Sequence, residues 1–141
     1  MKSLYFALLG CFLAHTALAE EPFVVIANRD TPVNRISSDE ATQIFLKHVQ
    51  SWPDGKAIDP IDIEEGSPLR TEFYSKITGR SPAQLRAYWA RQAFTGMGFP
   101  PRQVATAEEV SKIVQNTSGA IGYVGRNDRD GTAKIVLDPG K

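Results

Sequence analysis

The only cysteine of this chain, Cys11, falls in an amino-terminal segment with a grammar of its own, so the rest must fold without a disulfide or a thiolate. Met1 to Ala19 carries a lone Lys2, an apolar run from Leu4 to Ala14, and Ala17-Leu18-Ala19 ahead of Glu20-Glu21-Pro22. That is the order of a secretory signal, with cleavage expected after Ala19 and the mature protein outside the cytoplasm. Leu8-Leu9-Gly10-Cys11 also reads as a lipobox, whose cysteine would become a lipidated first residue. The apolar stretch before Cys11 is short and apolar residues continue beyond it, which favours the unlipidated form.

Removing residues 1–19 leaves 122 of 141 residues, enough for one domain with its own core. The expected division is therefore a signal at 1–19 and a single domain at 20–141. The domain carries 15 basic and 16 acidic residues, a formal charge of −1, so no whole-chain field draws it to nucleic acid or to an anionic membrane. No run in it approaches the roughly 20 apolar residues of a membrane span.

Strand and helix signals alternate along this domain. Phe23-Val24-Val25-Ile26-Ala27 is a compact apolar run broken by Asn28 to Pro32, which predicts a buried strand. Ser37 and Glu40 form a capping box that opens a helix whose apolar face is Ala41, Ile44 and Phe45, extended by Val49. Trp52-Pro53-Asp54-Gly55 is a turn. Ile58 to Ile63 alternates apolar and acidic residues, which predicts a strand with one solvated face, and Pro60 places it toward a sheet edge. Ser67 and Pro68 start a second helix through Leu69, Phe73 and Ile77, stopped by Gly79. Ser81, Pro82 and Gln84 start a third, with Leu85, Tyr88 and Trp89 inward. Thr95 to Pro101 predicts an ordered loop whose Met and aromatic side chains pack. Thr106 with Glu109 predicts a last capping box before Val110, Ile113 and Val114, and strands are expected at Ala120 to Val124 and Lys134 to Leu137. The class is α/β, with helices flanking a mixed sheet of about four strands.

Catalytic chemistry finds few candidates. His48 is the single histidine of the domain and falls late in the first helix, where its ordinary role is to complement the helix dipole. Glu64 and Glu65 are neighbours in an extended segment and point to opposite faces, so they cannot share a substrate. Gly96-Met97-Gly98 begins like a dinucleotide fingerprint, but Pro101 stands where its last glycine belongs and no strand directly precedes it. No catalytic residue, metal ligand or cofactor is assigned. The informative segment is Glu64-Glu65-Gly66-Ser67-Pro68-Leu69-Arg70. A helix start offers unpaired N–H groups and about half a positive charge, hence an anion site. Arg70 in that first turn opposes the dipole at a cost of roughly 0.3 to 1 kcal/mol unless an anion sits beside it. That anion is either a ligand or one of Glu64, Glu65 and Glu72, and spacing alone favours the internal pair.

Val24-Val25-Ile26-Ala27-Asn28 with Pro32, Ile44-Phe45, Trp52 with Gly55, Gly66-Ser67, Arg70, Phe73 and Gly119-Ala120-Ile121-Gly122-Tyr123-Val124 occur in an order that resembles the PstS-like phosphate-binding proteins of ABC transporters. The resemblance implies a single lobe of a type 2 periplasmic-binding-protein fold. It also implies oxyanion contacts at Gly66, Ser67, Leu69 and Arg70, a periplasmic location, and phosphate or a similar small oxyanion as ligand. An ABC permease or a sensor protein is the implied partner. Departures accompany it. Relatives close two lobes over the ligand, whereas this chain has room for one, corresponding mainly to the second. Their loop commonly reads Gly-Ser-Gly-Thr, where Pro68 and Leu69 stand here, and the arginine they carry before it aligns with Ile63. Arg70 can restore that charge from the helix side, and small single-lobe relatives carry such an arginine. One open lobe leaves the ligand half in water, which implies weak binding. The alternative from another class is an envelope interaction module that keeps the fold without tight ligand binding.

Overall fold

In the computed structural model, residues 23–129 and 131–141 are described; the expected signal, its cleavage point and Cys11 lie outside them. The first strand, β1 (Phe23–Ala27), is buried at every position. A five-residue run that is apolar on both faces can be accommodated only inside a sheet covered on both sides. β1 accordingly lies between β4 (Ala120–Gly125) and β5 (Lys134–Leu137), antiparallel to both. With β2 (Asp59–Ile63) and β3 (Arg102–Val104) they form one sheet in the order β3-β2-β4-β1-β5, in which β2 runs parallel to both neighbours.

The sheet has five strands rather than the four expected. The addition is β3, a three-residue edge strand of mostly exposed residues, too short to show a period. It also moves β2 from the expected edge to the interior. Pro60 is tolerated there for a geometric reason: β2 meets β4 at Asp59 to Ile61 but β3 only from Ile61 onward. The Asp59 N–H points to the β4 side, donating to the Gly119 carbonyl, and the Glu64 N–H points to the β3 side, donating to Val104. Pro60, in phase with Glu64, therefore lacks its N–H on the side where β3 has not yet begun. The expected solvated face of β2 is likewise absent, since Asp62 is fully buried.

Helices cover both faces. Gly122 and Tyr123 are consecutive in β4 and so point to opposite sides. On the Gly122 side lies α4 (Ala107–Asn116), so close that a Cβ on Gly122 would meet Val110 Cγ1 at 2.5 Å. On the other side Tyr123 stacks on Phe73 of α2 (Pro68–Thr78), at 4.0 Å between centroids, and meets Phe45 of α1 (Ser38–Phe45) edge-on. α3 (Pro82–Phe94) follows α2 and buries Leu85 and Trp89. The expected caps are present: full boxes at Ser37/Glu40 and Ser81/Gln84, Ser67 with Pro68, and a left-handed Gly79. At α4 only half a box forms, because Thr106 receives the Glu109 N–H without a return bond.

Two further details differ from expectation. α1 ends at Phe45, so His48 follows the helix instead of closing it; its ring meets Gln43 at 3.2 Å and the Tyr88 hydroxyl at 3.0 Å. The Met and aromatic side chains of the 95–101 loop do not pack inward: Met97 and Phe99 are exposed, and it is Pro101 that is buried.

Candidate functional site

The site begins where β2 ends. Ser67 N–H donates to the Glu64 carbonyl, closing a tight turn whose third residue, Gly66, has a φ of +99° that other residues rarely adopt. Apart from its two chain neighbours, no described residue lies within 4 Å of where a Gly66 Cβ would be, so the backbone is open to approach. Ser67 Oγ accepts the Arg70 N–H at 3.3 Å and thereby caps α2. Pro68 has no N–H to offer. The N–H groups of Gly66 and Leu69 find no acceptor among the described residues. Two donors thus remain at the positive end of an 11-residue helix.

Topology marks the same place. β2 and β3 are adjacent and parallel, yet β2 leads into α2 on the Tyr123 face and β3 leads into α4 on the Gly122 face. Neighbouring connections that diverge to opposite faces open a crevice at the carboxyl ends of their strands, the usual ligand position in open α/β sheets. Gly66, Ser67 and Leu69 lie on one side of that divergence, and the capped start of α4 at Thr106 lies on the other.

Arg70 is turned inward. It is 5 % exposed, its Nε lies 3.5 Å from Asp62 Oδ2, and its guanidinium sits 5.0 Å from the Tyr74 ring centre. The internal anion beside it is therefore Asp62, not Glu64, Glu65 or Glu72; Glu65 instead pairs with Arg86 of α3. Asp62 Oδ1 accepts from the Tyr123 hydroxyl at 2.5 Å and the Ile63 N–H at 2.8 Å, while Oδ2 accepts from the Tyr74 hydroxyl at 2.8 Å. Burial pushes the Asp62 carboxyl above the usual carboxylate range, against the opposing pull of the Tyr123 hydrogen bond, Arg70 and Tyr74. Burial and the neighbouring carboxylate push both tyrosine hydroxyls up, so they remain donors. The Arg70 Nε finds no hydrogen-bond acceptor among the described residues, and charge and the aromatic face hold this pair.

Sequence reasoning found the turn, the cap and the arginine, but missed Asp62, Tyr74 and Tyr123 behind them. A signal was available for Asp62. Asp59 and Asp62 are three positions apart in β2 and so point to opposite faces, so one of them must turn inward as soon as either face is covered. His48 lies against Tyr88, and no group of three or more His, Cys, Asp or Glu residues suited to a metal occurs among the described residues.

The fold has solved counterparts. An ABC-type phosphate transport receptor from Vibrio cholerae superposes with a TM-score of 0.66 at 16 % identity, covering 84 % of this chain and 46 % of its own. A protein assigned as a phosphate ABC transporter substrate-binding protein, with bound phosphate, from Clostridium perfringens gives 0.66 at 18 %, covering 86 % and 48 %. PstS from Borrelia burgdorferi gives 0.62 at 17 %, covering 84 % and 47 %. This chain spans less than half the length of each. No curated protein matches it by sequence. The sequence profile described as PBP superfamily domain matches residues 12–139, and with the same architecture in the structure the chain belongs to that superfamily.

Proposed function

We propose that this protein is a solute-binding protein for phosphate or a similar small oxyanion, linked to ABC-type uptake or sensing and exported to the periplasm. The observation that carries this reading is the pair of unclaimed N–H groups, on Gly66 and Leu69, at the start of α2 in the crevice between diverging connections. The solved counterparts from Vibrio cholerae and Clostridium perfringens, described as a phosphate transport receptor and a phosphate ABC transporter substrate-binding protein with bound phosphate, support the choice of anion. In this reading Gly66 and Leu69 donate from the backbone and Ser67 holds the turn. Arg70 adds positive charge from beneath the first turn without touching the ligand. Its charge is balanced by Asp62 and the site is open on one side, so the dissociation constant is expected near 1 mM, about −4 kcal/mol.

Titration calorimetry with phosphate and with sulfate tests this directly. Saturable heat with phosphate, lost in Gly66→Val, which places a branched side chain over the open amides, supports the reading. No heat at millimolar phosphate removes it. A second reading is favoured by one observation, the commitment of Arg70 to Asp62. In that reading the chain is an envelope interaction module that keeps the fold without tight ligand binding, and the silent titration is its signature. Amino-terminal sequencing of the exported protein, expected to start at Glu20, tests the location.

A further inference from the structure

The amino end of β3, opposite the candidate anion site, carries a different surface. Phe94, Met97 and Phe99 are 93 %, 72 % and 71 % exposed, the largest exposures among the big apolar side chains described. They occupy the last residue of α3 and the loop that follows it. Three protruding apolar groups within six residues are not the scattered single exposures that a protein surface normally shows. Beside them is a cleft of about 570 Å³ whose walls include Leu46, Lys47, His48, Tyr88 and Trp89, with no carboxylate in its lining.

The charge of the segment that carries this surface is one-sided. Over the whole sequence, acidic and basic residues balance at 16 each. Between Glu72 and Glu108, however, there is no acidic residue at all, while Lys76, Arg80, Arg86, Arg91 and Arg102 occur there. Arg86 is paired with Glu65 and Arg80 lies over the Tyr88 ring. Arg91, one helical turn before Phe94, and Arg102, three residues after Phe99, have no carboxylate partner among the described residues. Protruding aromatic and Met side chains flanked by unpaired arginines suit an anionic bilayer surface. The apolar tips enter the headgroup and acyl boundary while the guanidinium groups stay with lipid phosphates.

We infer that the Phe94–Phe99 segment is a membrane-surface anchor that seats this protein on anionic lipid, with Arg91 and Arg102 supplying the attraction. Side chains standing clear of the surface gain little from a flat, rigid partner but bury fully in a soft apolar layer. The anchor leaves the α2 start at the other end of β2 and β3 facing away from the bilayer, so it stands or falls independently of oxyanion binding.

Co-sedimentation of the chain from Glu20 onward, which contains every element of the fold, provides the test. The probes are vesicles of phosphatidylethanolamine with phosphatidylglycerol and vesicles of phosphatidylcholine alone. Binding is expected to the anionic vesicles at low salt and to weaken as salt rises. Phe94→Ser with Met97→Ser and Phe99→Ser should reduce it at least about tenfold, and Arg91→Gln or Arg102→Gln about fivefold each. Phe94→Ser alone, at an almost fully exposed position that cannot disturb the core, guards against loss through unfolding. Equal sedimentation of parent and triple variant, or none of the parent at low salt, overturns the inference. So does a parent that elutes as a dimer, with a monomeric triple variant and no vesicle binding, since the surface would then serve self-association.

Discussion

Asp62 and Arg70 are buried side by side but are not equivalent. If Arg70 is removed, Asp62 keeps two tyrosine hydroxyls and one backbone N–H, and it can shed its charge by taking up a proton. If Asp62 is removed, the guanidinium has no such escape and stays charged in the interior. Asp62→Ala is therefore expected to cost about 3–5 kcal/mol and Arg70→Met much less. Adding Arg70→Met to Asp62→Ala should recover part of that loss. Urea denaturation of the two single variants and the double variant measures this; equal losses from the two single variants would refute the asymmetry. Asp138 presents the opposite titration. Two hydrogen bonds from Arg126, at 2.6 and 2.9 Å, hold its carboxyl down at about 2, below the ordinary 3.8. A depressed carboxyl contributes stability that is complete above its unfolded value and is lost as pH falls through the folded one. Asp138→Asn should lower the melting temperature at neutral pH and flatten the acid limb of its pH profile between 3.8 and about 2, the two proteins converging at the acid end. An unchanged acid limb would show that this pair is without effect.

At the level of elements, the helices are specified locally and the sheet is not. Each helix start has a Ser or Thr whose hydroxyl takes up an otherwise idle N–H, which is why the starts of α1, α2, α3 and α4 were legible in the sequence. β3 was not, because three residues at an edge carry no period and owe their extended form to pairing with β2. The turn into β4 combines both kinds of constraint. Gly119 has a φ of +84°, and a Cβ there would meet the Ala57 carbonyl oxygen at 2.4 Å. Backbone cannot swing aside as a side-chain tip can, so Gly119→Ala should cost about 1–3 kcal/mol. It should also loosen the bond from the Trp52 indole N–H to the Gly119 carbonyl. Thermal unfolding followed by Trp fluorescence reads both; a wild-type midpoint would contradict the close approach.

Over the whole molecule, the two ends of the parallel strands have diverged. The carboxyl ends of β2 and β3 meet two capped helix starts, with positive dipoles and open backbone. The amino end of β3 meets an apolar, basic loop that no described residue covers. Because β2 and β3 are parallel, their carboxyl-end and amino-end loops emerge at opposite edges, and one domain can present both surfaces at once. The Gly66-Ser67 end of this arrangement was legible as a candidate anion site, because glycine, a hydroxyl cap and a helix start carry their chemistry in adjacent residues. The other end was not, because loop residues such as Met97 and Phe99 look alike in sequence whether they are buried or exposed.

What the sequence determined by itself is what depends on neighbours along the chain. This covers the caps, the stops, the turn at Gly66, the apolar run of β1 and the α/β alternation. Tertiary structure decided what depends on neighbours in space. It added a fifth strand, placed Pro60 inside the sheet, and turned Asp62 inward to meet Arg70, Tyr74 and Tyr123. The physical reason is that hydrogen bonds of turns and caps close within a few residues. The charge state and burial of a side chain are set instead by whatever the rest of the fold packs against it.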